Sequence, residues 1–133
     1  MKIDKFELIF NQMKFREPRD TERVVWTEHV KEKMKFYNLS ESRLKKLLRN
    51  PERIEEGIAP RTVAIMQTTK SKRPTEIWLM YQVVPLKTKN QISNFKKRER
   101  KMKIISAWRY PGKSPVGQPP IPDEVINDLE NYV

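Results

Sequence analysis

Cysteine is absent from the 133 residues, glycine occurs three times and histidine once. The lack of cysteine excludes disulfides, thiolate nucleophiles and cysteine-ligated zinc or iron–sulfur sites. Three glycines without a glycine-rich turn exclude a phosphate-binding loop and a dinucleotide fingerprint. No apolar run approaches the roughly 20 residues that span a bilayer, and the opening Met1-Lys2-Ile3-Asp4 starts no signal peptide. We therefore expect a soluble, cytoplasmic protein that has no membrane partner.

Patterns typical of metal or hydrolytic sites are also missing from the sequence. No carboxylate pair, no cluster of histidine and acidic residues, and no Ser–His–Asp order stands out as a candidate site. We therefore expect no metal and no cofactor.

Positive charge is abundant and is concentrated in one part of the chain. The formal net charge is +11, with +6 in residues 1–86, +7 in residues 87–103 and −2 in residues 104–133. Such a concentration attracts polyanions and raises their association rate. RNA, DNA, an acidic protein and an anionic membrane are the partner classes that this charge favours.

Hydrophobic periodicity predicts an α+β fold with the element order (α)βααβββα. The predicted helices cover residues 4–15, 27–38, 40–50 and 123–132, and the predicted strands cover 23–26, 61–68, 75–84 and 101–110. Within residues 4–15, the spacing of Phe6, Leu8 and Phe10 also fits a strand. Residues 55–57 are predicted to form a turn. Residues 75–84 are apolar on both faces, which places this strand in the centre of the sheet. We expect Thr27 and Ser40 to cap the two central helices.

The length is that of a single domain. Within residues 1–133 we expect an N-terminal helix and linker over 1–22 and a core over 23–110 that carries a basic insertion at 86–100. A proline-rich segment and a C-terminal helix follow over 111–133.

This order of elements, with the sequences WTEHVKEKM, LLRNPERI and KIISAWRY, resembles the RelE/BrnT-like superfamily of small toxin-type endoribonucleases. The resemblance is closest to poorly characterised members and covers about Val24–Tyr110. It implies a helix pair packed on a small twisted antiparallel sheet, and a concave face that cleaves or only binds RNA. BrnT-like proteins end the last strand in an Ile-Ser-Ala-Arg run. In this chain that run is similar to Ile105, Ser106, Ala107 and, after an inserted Trp108, Arg109.

The end of the last long strand is the first candidate site. Arg109 and Tyr110 stand where Pro111-Gly112 must interrupt the strand. An arginine can hold a phosphate with its bidentate fork, and a tyrosine can add a hydroxyl. Arg61, at the start of another predicted strand, could converge on the same phosphate. The alternative is that these are ordinary exposed strand-end residues.

The single histidine is the second candidate. An ordinary imidazole pKa near 6.5 would suit His29 as a general acid or base in RNA cleavage. Lys33 follows one helical turn later and could stabilise the charge of a phosphorane. The alternative is a partly buried histidine with a structural role.

A basic run over 87–103 is the third candidate. It interleaves cations with polar residues, a composition that favours sequence-independent binding of phosphates. Its cations are Lys87, Lys89, Lys96, Lys97, Arg98, Arg100, Lys101 and Lys103. A solvated loop is the alternative. Trp26 and Trp78 are expected in the core, whereas Trp108, beside Arg109, could stack on an unpaired base.

Together these patterns predict a toxin-like RNA-binding protein with metal-independent endoribonuclease activity. In this hypothesis His29 moves the proton, Arg109 and Lys33 stabilise phosphorane charge, and the basic run binds the RNA backbone. The alternatives are a non-catalytic nucleic-acid-binding module and the basic partner of an acidic antitoxin-like protein. The enzyme hypothesis requires the strand end, the imidazole and the basic run to open onto one concavity.

Overall fold

The computed structural model describes residues 15–85 and 100–129. The helix predicted over residues 4–15 falls almost entirely outside these ranges, as does most of the basic run. The described elements are β1 (Val24–Trp26), α1 (Glu28–Tyr37), α2 (Glu41–Arg49), β2 (Arg53–Glu56), β3 (Thr62–Thr68), β4 (Thr75–Pro85), β5 (Arg100–Pro111) and α3 (Asp123–Leu129). The α+β class is therefore confirmed. Among these helices, none is both long and apolar enough to cross a bilayer.

The strands form one open sheet in the order β1-β5-β4-β3-β2, so β4 lies in the middle as its two apolar faces predict. The sheet is mixed rather than antiparallel, because β1 runs parallel to β5. A short turn imposes antiparallel pairing only on consecutive strands. Since β1 is followed by helices instead of a turn, its local sequence does not determine the direction of its pairing.

The turn predicted at residues 55–57 is wrong, because the chain forms β2 there and turns later, after Gly57. β2 pairs antiparallel with β3 at the edge of the sheet, so the observed order has four strands after the helix pair. Its half-buried side chains are the charged Arg53 and Glu55, while Ile54 is exposed. The hydrophobic pattern of β2 therefore predicts the wrong inward-facing side chains. A side chain at Gly57 would collide with Thr62, which explains the glycine at this turn.

Both central helices begin at the predicted caps. The Thr27 hydroxyl accepts a hydrogen bond from the backbone N–H of Val30 at 3.2 Å, and the Ser40 hydroxyl accepts one from Arg43 at 3.1 Å. Asn38 ends α1 with a left-handed φ of 55°. An asparagine tolerates this conformation, so α1 can turn sharply into α2.

Each face of the sheet carries its own core. On the first face, α1 and α2 pack with Val30, Met34, Leu44 and Leu47 against the strands. On the second face, Val125 of α3 packs on a cluster built around Trp78 and Trp108, whose rings are stacked 6.0 Å apart. The core positions predicted for Trp26 and Trp78 are confirmed.

A β-bulge in β5 decides which way its last residues face. Met80 pairs with Ser106 and Tyr81 with Ile104, so Ile105 is an additional residue opposite β4. Such an insertion exchanges the two faces for all residues that follow it. As a result Arg109 faces the helices, while Tyr110 packs with the cluster on the second face.

Candidate nucleic-acid interface

Arg109 lies at the C-terminal end of α1. Its Nε donates to the backbone oxygen of Tyr37 at 2.7 Å, and its Nη2 donates to that of Asn38 at 3.1 Å. A cation at this position satisfies carbonyl groups that the helix leaves unpaired. Burial, and secondly the nearby guanidinium of Arg43, lower the pKa of Arg109. Part of its donor fork is therefore used to hold α1.

Tyr110 does not share a site with Arg109. The two residues are neighbours on β5, and neighbouring strand residues point to opposite faces. Tyr110 pairs with Glu76 and packs against the cluster around Trp108. The predicted phosphate clamp of Arg109 and Tyr110 is therefore not formed.

Arg61 lies at the other end of the sheet. It has a left-handed φ of 61° and precedes Thr62, which pairs with Gln82. Arg109 pairs with Ile77, and the five residue steps along β4 from Ile77 to Gln82 span about 17 Å. Arg61 therefore does not converge with Arg109.

His29 and Lys33 lie one turn apart on α1, as predicted, but His29 is distant from Arg109. The His29 Nε2 atom is 3.3 Å from the hydroxyl of Ser106, which is fully buried. Arg109 binds the opposite end of α1, eight residues or about 12 Å further along the helix axis. The structure therefore separates the predicted proton donor from the predicted phosphate ligand.

Most of the basic run lies outside the described residues, namely Lys87, Lys89, Lys96, Lys97 and Arg98. Lys101 and Lys103 alternate with Met102, which packs on the first core, so they project from the second face. Arg100 begins β5, nine residues or about 30 Å from Arg109. The described lysines of the run thus lie far from Arg109 and on the opposite face of the sheet, so they do not share a concavity with it.

Trp108 is not available to stack on a base. Its side chain is 0% exposed and is stacked on Trp78 inside the second core. The β-bulge at Ile105 places Trp108 on the second face and Arg109 on the first, towards the helices. This bulge is not readable from the sequence, where Ile105, Ser106 and Ala107 continue an ordinary strand pattern.

A basic groove, which the sequence analysis missed, lies where α2 meets the end of β3. Its cavity volume is about 340 Å³, and its lining residues are Arg43, Lys46, Glu52, Gln67, Thr68, Thr69 and Lys70. Arg43 and Lys46 are three residues apart on α2, a spacing that places them on one side of a helix. That spacing, together with the threonines and lysine at the end of β3, was the available sequence signal.

Arg43 is oriented by a chain of hydrogen bonds that contains no carboxylate. Its Nη1 donates to Gln67 Oε1 at 2.6 Å, and the Gln67 Nε2 donates to the backbone oxygen of Asn50 at 2.8 Å. Gln67 thus links the groove to the end of α2. Because its partner is an amide and not a carboxylate, no opposite charge offsets the guanidinium of Arg43 in the groove.

The cations of the basic groove are not paired with acids. Among the described residues, Arg43, Lys46 and Lys70 have no carboxylate oxygen within 4.0 Å. The groove's own acid, Glu52, instead accepts a hydrogen bond of 2.8 Å from the Thr68 hydroxyl. We call such cations unmatched. Unmatched cations with hydroxyl groups beside them form the kind of surface that binds phosphate groups.

The second face holds an opposite arrangement, a matched cluster of Arg53, Glu55, Glu76, Trp78 and Ser114. Glu76 is 1% exposed, and its oxygens accept from Trp78 Nε1 at 3.0 Å and from Ser114 Oγ at 2.6 Å. The backbone N–H of Ser114 donates to the same carboxylate at 3.1 Å.

Arg53 completes the matched cluster. It forms ion pairs with Glu55 at 3.1 Å and Glu76 at 3.4 Å, and its guanidinium lies 5.0 Å from the centre of the Trp78 ring. It also donates to the backbone oxygens of Ser114 and Pro115. The cluster therefore attaches the proline-rich segment to the sheet.

The charge of Glu76 survives its burial because of these partners. Burial alone would raise the pKa of the Glu76 carboxyl, but hydrogen bonds from Ser114 and Trp78 and the charge of Arg53 together lower it. The carboxylate is therefore ionised at neutral pH.

Comparison with known proteins gives no relative: the chain matches no family model, no curated protein and no solved structure. Within residues 15–85 and 100–129, no three histidine or acidic side chains are grouped as a metal ion would require. The fold and groove thus define an α+β protein with a five-stranded mixed sheet and an unmatched basic groove at one end.

Proposed function

We propose that this protein binds the backbone of RNA through the basic groove, as a non-catalytic module in the cytoplasm. The observation that supports this function is the group of unmatched cations, Arg43, Lys46 and Lys70, gathered with two threonines around one cavity. A folded protein gains little from leaving like charges together, so an anionic ligand is the natural complement of this surface. Kinship with RelE/BrnT-like proteins remains a prediction.

RNA backbone is a better ligand for this groove than a single small anion. Arg43 and Lys46 come from α2, and Lys70 is the second residue after β3, so the three cations line the cavity from two separate segments. A strand of phosphates can contact each of them in turn. Contacts of this kind bind any sequence, and DNA is expected to compete.

A second candidate is the endoribonuclease activity that the sequence predicts, now limited to α1. His29 lies 3.3 Å from the buried Ser106 hydroxyl, which would fix the ring, and Lys33 lies one turn away. Arg109 would contribute only by holding the end of α1. Cleavage of a labelled RNA, abolished by His29→Ala while binding persists, would establish this activity. If wild type and variant yield equally little product, binding alone remains.

The proposed groove is tested by charge reversal on adjacent residues of α2. Lys46 is unmatched, whereas Lys45 forms an ion pair with Glu41 at 3.3 Å. We expect Lys46→Glu to weaken RNA binding about tenfold, because a phosphate contact is lost and a repulsive charge is added. Lys45→Glu has the same effect on net charge and should change the affinity much less.

Fluorescence anisotropy of a labelled RNA measures both variants. Equal affinities for the two would contradict a role for the basic groove. Competition by polyglutamate of similar length tests the antitoxin alternative, since an acidic protein partner would use carboxylates instead of phosphates. Stronger competition by polyglutamate than by RNA would favour that partner over RNA.

A further inference from the structure

Phe36 is the one exposed aromatic side chain in the described part of the chain, with 74% of its surface accessible. It lies on α1, whose buried positions are Val30 and Met34. Two residues beyond Met34, a helix has turned by about 200°, so Phe36 points away from the core. The fold therefore does not use this ring for packing against the sheet.

The ring of Phe36 is nevertheless held in place by its neighbours. The Tyr37 ring meets it edge-on at 4.8 Å with an angle of 82°, and Lys33 Nζ lies 5.8 Å from its centre. Tyr37 is itself fixed, because its hydroxyl donates to Glu124 at 2.7 Å. An aromatic face with a cation beside it is the surface on which an unpaired base stacks.

Phe36 and the basic groove flank the same short connection between α1 and α2. Phe36 precedes Asn38 by two residues, and Arg43 follows Ser40 by three. Arg109 lies between Phe36 and the basic groove. It donates hydrogen bonds to the backbone oxygens of Tyr37 and Asn38 and lies close to Arg43. A strand that leaves the groove at Arg43 can therefore reach the Phe36 ring by crossing this connection.

We propose that Phe36 is a stacking site for one unpaired base of an RNA strand whose phosphates lie in the basic groove. This inference rests on the proposed function and adds a substrate class, single-stranded RNA. A duplex keeps its bases stacked on one another and cannot present one to Phe36. The protein therefore prefers a single strand to a duplex of the same sequence.

The test measures the affinity of the full chain for a labelled single-stranded RNA, the same strand as a duplex, and an abasic strand of equal length. Phe36→Ala should weaken binding to the single strand about five- to hundredfold, the loss typical of one stacked base. Phe36→Trp should bind at least as tightly as wild type, while Phe36→Leu should resemble the alanine variant. Ile54→Ala removes another exposed apolar group, from the edge strand β2, and should have no effect.

The abasic strand separates the two proposals. It should bind wild type and Phe36→Ala equally, because only phosphates are contacted. If Phe36→Ala binds the single strand as wild type does, the stacking site is refuted while the groove stands. If wild type binds neither the single strand nor the abasic strand, the proposed function fails as well.

Discussion

Arg53 and Arg43 lie on opposite faces of the same sheet and in opposite electrostatic surroundings. Arg53 has two carboxylates within 3.4 Å, belonging to Glu55 and Glu76. Arg43 has an amide partner, Gln67, and cationic neighbours along the basic groove. One arginine is thus paired with carboxylates, and the other contributes to a net positive surface.

The difference distinguishes the cations of a basic protein that stabilise its fold from those that bind its ligand. A buried matched cluster tolerates no loss of a partner, because the remaining charge would be stranded away from water. An unmatched group at the surface loses little stability when one of its members is removed. Mutations should therefore separate the two regions, with stability responding in one and RNA affinity in the other.

The largest effect is expected from Glu76→Ala in the matched cluster. This change leaves Arg53 with one carboxylate and leaves Trp78 Nε1 and the Ser114 hydroxyl without their acceptor. We expect the free energy of unfolding, measured by urea denaturation, to fall by about 3–5 kcal/mol. RNA affinity of the folded protein should not change. Glu56→Ala, at an exposed position of β2, the edge strand that carries Arg53, is the control and should cost less than about 0.5 kcal/mol. A similar loss of unfolding free energy in both variants would contradict the stabilising role of the matched cluster.

A smaller effect is expected from acid. The pKa of Glu76 is lowered in the folded protein below the value of about 4.3 in the unfolded chain. The ionised carboxylate therefore contributes its full stability above about pH 4.3, and this contribution is lost as the pH falls through the folded pKa. The difference in unfolding free energy between wild type and Glu76→Gln should accordingly narrow as the pH is lowered. If this difference in free energy stays constant down to the lowest pH at which the protein is folded, the lowered pKa of Glu76 is contradicted.

Gln67→Glu sharpens the comparison, because it would give Arg43 a carboxylate where it now has an amide oxygen at 2.6 Å. RNA affinity should fall about three- to tenfold as one phosphate contact is neutralised. Stability should change by less than about 1 kcal/mol, since the new ion pair offsets the lost hydrogen bond to Asn50. Gln82→Glu is the matched control, because Gln82 also donates to a backbone oxygen but lies at the other end of the sheet. Equal losses of affinity in the two variants would argue against the groove.

Much of the fold is readable from the sequence because it is set by local signals. Thr27 and Ser40 are caps with side chains of the right type, and β4 is apolar on both faces, which places it in the centre of the sheet. β2 was not predicted because its inward side chains are charged, and their burial depends on partners as distant in sequence as Ser114. Long-range pairing of this kind leaves no local pattern.

The candidate sites were less predictable, for a related reason. Whether Arg109 and Tyr110 share a face depends on strand alternation, and which face each takes depends on the bulge at Ile105. The positions of His29 and Arg109 at opposite ends of α1 follow from tertiary packing. The basic groove is built from α2 and β3, elements whose proximity the sequence order did not reveal.

The salt dependence of RNA binding tests the central claim most directly. Two double variants remove the same net charge: Lys46→Ala with Lys70→Ala from the groove, and Lys31→Ala with Lys45→Ala from lysines paired with Glu28 and Glu41. A plot of log affinity against log salt should become shallower by about 1.4 for the groove variant, at about 0.7 for each phosphate contact with a single strand. The paired-lysine variant should keep the wild-type slope. Identical slopes for the two double variants would contradict the claim that unmatched cations of the basic groove bind RNA.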